Sequence, residues 1–209
     1  MKLDYESIRH NLSTGDIVLF SGKGPISASI KLVTKSKWSH VGMVVCLDEY
    51  DFITVWESTQ LSNIKDLETG KFKKGVQVVP LSLRLTHYDG EIAIRHLQNT
   101  NLSSSDIQEL MRFRKEMSGR SYEKNTLELL KSAYDGPLGE NTEDLSSLFC
   151  SELVAESYQK LGLLPSNIAS NEYTPANFST ESNLELLKGR LSNEIYVPRT
   201  IASSVAALV

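Results

Sequence analysis

Residues 38–58 read WSHVGMVVCLDEYDFITVWES, and the way this stretch divides decides the fold. Two runs rich in β-branched and aromatic residues, 41–47 and 52–58, flank Asp48, Glu49, Tyr50 and Asp51. Apolar runs of that length, broken by a short polar segment, read as the two strands of a hairpin. A loop at 48–51 sets Gly42 opposite Glu57 and His40 opposite Thr59. Facing residues share a side of the sheet, as do residues two apart in one strand. Glu57 is therefore expected on the His40 side, one diagonal away, with no side chain at Gly42 to separate them. A slip of one residue would turn Glu57 away and bring Thr59 or Gln60 forward instead.

Upstream of the hairpin, residues 5–11 read as a short helix ahead of the turn Ser13-Thr14-Gly15-Asp16. Ile17-Val18-Leu19-Phe20 is a buried strand ending at Gly22, and Pro25 opens a helix over residues 25–34. Downstream, residues 75–81 and 92–97 are two further strands. The period then changes: Ile107, Leu110, Met111 and Arg114 predict a helix capped by Ser104 or Ser105. A second helix is expected over 125–133, stopped by Gly136-Pro137. The clearest helix is 149–161, where Phe149, Cys150, Leu153, Val154, Tyr158 and Leu161 recur at helical spacing and Gly162 ends the run. A last strand over 194–197 closes the sheet. The sum is an α+β fold, mostly antiparallel sheet packed against helices that include the cysteine-bearing one. No linker-like tract divides the chain, so residues 1–209 are expected to form one domain.

Composition narrows the function. With 40% hydrophobic and 23% charged residues among 209, the chain is ordinary globular material. A net charge of −4 exerts no general pull toward nucleic acid or an anionic membrane. The two cysteines, Cys46 and Cys150, make neither a disulfide framework nor zinc spacing. No apolar run approaches the roughly 18 residues of a membrane span, and the N-terminus lacks a signal core, so stable membrane insertion is not expected. A cytoplasmic location is expected, with signal-less export as the alternative. The oligomeric state is not legible.

Three residues can carry chemistry. Cys150 falls at the expected start of the 149–161 helix, where unpaired N–H groups and the helix dipole favour a thiolate. A cysteine is also commonly a small buried apolar residue, and Cys46, mid-strand between Val45 and Leu47, reads that way. His40 opens a strand, which fixes its backbone and leaves its ring accessible, as a general base requires. His10, His87 and His96 read as surface or structurally satisfied residues. Glu57 could hold the imidazole tautomer and stabilise the imidazolium, or be an exposed strand carboxylate. As metal ligands, His40, Glu57 and Cys150 lack the close-spaced pairs typical of zinc motifs.

Gly15-Asp16-Ile17-Val18, Trp38-Ser39-His40-Val41-Gly42-Met43-Val44, Trp56-Glu57-Ser58 and Phe149-Cys150-Ser151-Glu152-Leu153-Val154 occur in that order. The set resembles the circularly permuted NlpC-type papain-like cysteine hydrolases, in particular their YiiX-like branch, from about residue 13 to 178. As in that group, the histidine precedes the cysteine. The resemblance implies a permuted papain-like fold, with Cys150 as nucleophile, His40 as base and Glu57 as third residue. It also points to Tyr122, in Gly119-Arg120-Ser121-Tyr122, and to Trp38 as substrate-binding residues. The segment Tyr173-Thr174-Pro175-Ala176 fits the family without a chemical role. The implied activity is hydrolysis of peptide or N-acyl amide bonds through a thioester acyl-enzyme, with no cofactor and no metal. Two alternatives stand beside it. One is a lipid acyltransferase or phospholipase like the lecithin retinol acyltransferase relatives, whose cysteine motif differs from Phe149-Cys150-Ser151-Glu152. The other is a catalytically silent ligand-binding module. The expected partner is a peptide, amide or acyl-lipid substrate.

Overall fold

β-branched and aromatic runs need a pleated surface on which to pack, and here they build one sheet. The computed structural model describes residues 5–47, 50–119 and 145–198. Its strands are β1 (Ile17–Gly22), β2 (His40–Leu47), β3 (Phe52–Thr59), β4 (Gly75–Pro80) and β5 (Gly90–Arg95), then the two-residue β6 (Leu97–Gln98) and β7 (Arg190–Leu191), and β8 (Ile195–Val197). Six of them form a sheet of order β4-β3-β2-β1-β5-β8, while β6 and β7 pair separately. Every pairing is antiparallel. In the hairpin Met43 faces Trp56 and Leu47 faces Phe52, the register that the loop length predicts.

The period of two splits the sheet into two buried faces. Ile17, Leu19, Val41, Met43, Val45 and Trp56 pack with residues of two helices, α4 (Ser104–Met117) and α5 (Leu145–Lys160). The opposite face carries Val18, Phe20, Val44 and Val55, covered by Ile8 of α1 (Tyr5–Ile8) and by Leu81 and Leu85 of α3 (Leu81–His87). The remaining helix, α2 (Pro25–Thr34), follows β1 with Pro25 in its first turn.

Four details differ from the sequence reading. β4 stops at Pro80, and Leu81 begins α3 instead of ending the strand. The cap of α4 is Ser103, not Ser104 or Ser105, because Asp106 completes a capping box: Ser103 Oγ accepts from Asp106 N at 3.2 Å, and Asp106 Oδ2 accepts from Ser103 N at 2.9 Å. The strand expected over 92–97 ends at Arg95, whose guanidinium turns to the Ser192 and Phe178 carbonyls, each at 2.7 Å. α5 is helical from Leu145, so Cys150 sits in its second turn. The helix expected over 125–133 lies outside the described residues.

Candidate active site

His40 is the first residue of β2 and therefore sits at an end of the sheet. There its ring packs on Phe20 with centroids 5.1 Å apart, and Phe20 packs in turn on Tyr88 at 4.8 Å. Glu57, on β3, projects to the same side, and its Oε2 lies 2.7 Å from His40 Nε2. Gly42 makes this contact possible. A Cβ there would come within 2.7 Å of Val55 Cγ2 and 3.2 Å of Glu57 Cβ, so a side chain would clash with Val55 and press on Glu57.

Glu57 is fully buried, an expensive position for a charge without a partner. Its second oxygen supplies the answer: Oε1 accepts from Arg84 Nε at 2.7 Å, and Arg84 is equally buried. Arg84 Nη1 donates to Asn63 Oδ1 at 2.9 Å. Burial pushes the Glu57 carboxyl up, but the Arg84 charge and the contact with His40 outweigh it and hold the group below the usual carboxylate range. Glu57 is thus ionised at neutral pH, an acceptor for two cations.

Cys150 packs with the core on the helix side of the sheet. His40 lies at the strand's end, where the β2–β3 pairing begins only at Met43, and its side chain is hydrogen-bonded to Cys150 as well as to Glu57. Burial lowers the imidazole's proton affinity. The Cys150 charge, the hydrogen bond to that thiol and the Glu57 contact reverse the effect and raise His40 to about 9. The structure therefore brings Cys150, His40 and Glu57 together. The helix dipole contributes less than the sequence implied, since its influence fades within the first turn and Cys150 lies in the second.

One sequence-assigned residue lies apart from this group. Trp38, read as substrate-binding, is fully buried; its Nε1 donates to Glu194 Oε1 at 2.9 Å and its ring lies against Tyr196. The indole packs in the core with its one polar atom on Glu194, and it is not among the described lining residues of the cavity beside His40. Tyr122 lies outside the described residues. Arg84 and Asn63 escaped the sequence reading altogether. One signal could have found Arg84, because a strand carboxylate facing a core needs a buried cation, and Leu81-Ser82-Leu83-Arg84-Leu85 sets an arginine between apolar residues at helical spacing.

A cavity of about 340 Å³ opens beside His40, and Cys150 is not among its described lining residues. Among the described residues, no group of three or more His, Cys, Asp or Glu side chains could hold a metal ion, and no helix is long and apolar enough to cross a membrane. Cys46, as expected for strand packing, directs its thiol to the Leu12 carbonyl at 3.6 Å.

A family model described as a permuted papain-like amidase enzyme, YaeF/YiiX, C92 family, matches residues 11–196. Among solved structures, one described as metalloprotein yiiX from Escherichia coli O157:H7 is similar to this chain at 20% identity, with a TM-score of 0.48, over 90% of this chain and 91% of the other. No curated protein matches.

Proposed function

The chain belongs to the permuted papain-like amidase family, C92, and on that premise we propose that it cleaves peptide or N-acyl amide bonds through a thioester on Cys150. The observation that carries this reading is the position of one imidazole, His40, between a thiol and an ionised carboxylate held 2.7 Å away. With Nε2 engaged by Glu57, Nδ1 is the nitrogen left to serve the thiol.

In the forward reaction His40 Nδ1 takes the Cys150 proton, and Sγ attacks the amide carbonyl. The imidazolium then returns that proton to the amide nitrogen, the C–N bond breaks, and the amine leaves a thioester behind. Water attacks the thioester, with His40 as base, and releases the carboxylic acid and the thiol. Glu57 fixes the tautomer and stabilises the imidazolium in both halves, while Arg84 keeps Glu57 ionised without touching the reacting atoms. No cofactor enters these steps.

Alkylation of Cys150 by iodoacetamide at pH 6, followed by peptide mapping, tests the pair. The wild type is expected to react roughly tenfold faster or more than His40→Ala, because a neighbouring imidazolium favours the thiolate. Equal rates in the two proteins would overturn the assignment.

A further inference from the structure

We propose that the cavity beside His40 is the subsite for the leaving amine of the substrate, and that it selects an uncharged, largely apolar amine. The inference rests on the reading of His40 as the proton donor to that amine.

The first argument is one of sides. In amide cleavage the carbonyl carbon must lie at sulfur and the nitrogen at the imidazole, so whatever is attached to nitrogen continues past the imidazole. The cavity has His40 in its wall and Cys150 outside its described lining. Cys150 belongs to the core on the other side of the sheet, whereas Phe20, Tyr88 and the cavity share the His40 side. A substrate group entering this space is therefore joined through the nitrogen and not through the acyl carbon.

The second argument is the chemistry of the walls. At about 340 Å³ the space falls at the small end of ligand pockets. Ile30, Leu61 and the Tyr88 ring supply apolar surface. The Ser27 and Tyr88 hydroxyls converge on Gly22, where an added Cβ would lie 2.9 Å from Tyr88 Oη, so that wall ends in two neutral polar groups. The lysine and the aspartate at the cavity, Lys23 and Asp89, are exposed and pair with each other at 3.0 Å. Their charges offset each other, as the Glu57 carboxylate offsets the His40 imidazolium in the same wall, so neither pair favours an ammonium or a carboxylate on the incoming group.

The same space receives the acceptor in the second half-reaction. An apolar amine bound there can replace water: its nitrogen attacks the thioester carbonyl, the C–N bond forms, the C–S bond breaks, and His40 passes the amine's proton to the departing sulfur. The subsite thus governs which amines are released and which compete with water.

The test uses two amide series on the whole protein. With the acyl group fixed as acetyl and the amine lengthened from methyl to hexyl, kcat/KM is expected to rise about fourfold per methylene until the cavity is full. Amines of equal length ending in an ammonium or a carboxylate are expected to react at least about tenfold more slowly. Leu61→Trp, with a cooperative melt confirming that it is folded, should flatten the amine series. A flat amine series, a preference for charged amines, or a steep dependence on acyl length alone at fixed methylamine would overturn the proposal. Fast His40-dependent alkylation alongside any of these results would leave the thiolate reading standing. Equal alkylation in wild type and His40→Ala would remove that reading first.

Discussion

Two histidine–carboxylate pairs sit at opposite ends of this fold's logic. His40 and Glu57 meet at 2.7 Å, and His96 Nδ1 and Asp16 Oδ2 meet at 2.8 Å. Both carboxylates are almost wholly buried, and both imidazoles bind their proton more tightly than an unperturbed histidine. The contact alone therefore does not distinguish a reactive site from a structural fastening. The surroundings do. Asp16 also accepts the backbone N–H groups of Ser13 and Leu97, at 3.1 and 2.9 Å, so its charge ties a turn to a strand. Glu57 spends its other oxygen on a buried guanidinium, and its histidine faces a thiol and a cavity. One carboxylate is consumed by neutral amides; the other is clamped between two cations and left to work through one of them.

The sharpest way to break this comparison is to remove each histidine in turn. His40→Ala is expected to lower kcat for a simple N-acyl amide by about 10³-fold or more, whereas His96→Ala should stay within a few-fold of wild type. Comparable losses from both would show that the two pairs do not differ in kind. Next in size is the removal of the countercharge. Arg84→Met leaves Glu57 buried with the imidazole as its remaining ionic partner, and is expected to cost about 3–5 kcal/mol in urea unfolding. Asp16→Asn, which faces mainly backbone donors, should cost about 1–3 kcal/mol. A smaller loss at Arg84 than at Asp16 would mean that the buried cation is not what keeps Glu57 ionised.

The mildest effects are those of pH, and their signs follow from the two raised imidazoles. Activity needs the His40 imidazolium as acid, so kcat/KM is expected to fall as pH rises through about 9. Glu57→Gln deletes one of the groups raising His40, and the alkaline limb should move to lower pH. His96 is raised above its ordinary 6.5 chiefly by its hydrogen bond to Asp16. The stability it contributes is complete below pH 6.5 and is lost as pH rises through its folded value. The melting-temperature gap between wild type and His96→Asn should accordingly narrow from pH 6 toward alkaline pH. A gap that widened instead would reverse the assigned sign.

How much of this was legible in the sequence depends on the length of chain that specifies each feature. The hairpin register could be read because the 48–51 break fixes which residues oppose, and with it came the direction of Glu57 and the reason for Gly42. α5 was equally plain, since apolar residues recur through four turns. Its beginning was not, because Ser146 and Ser147 resemble caps while lying inside the helix. α3 is only seven residues long, too short for a period to declare itself after a strand that ends in proline. Arg84 was lost with it: an arginine is ordinarily a surface residue, and only a buried carboxylate on a neighbouring strand brings it inside. Trp38 shows a different limit. It stands beside the histidine in the chain, yet in space its indole belongs to Glu194 and Tyr196, more than a hundred residues on, a partnership that no local pattern encodes.

The order of the histidine and the cysteine along the chain has a consequence in time. Ribosomes extend a chain at about 5–20 residues per second, and a domain generally folds as a unit. The strands carrying His40 and Glu57, and the helix carrying Arg84, precede β5, while Cys150 follows far behind in α5. The acid–base half thus emerges several seconds ahead of its sulfur. The proposed reactivity therefore cannot arise before the helix that carries Cys150 has been made.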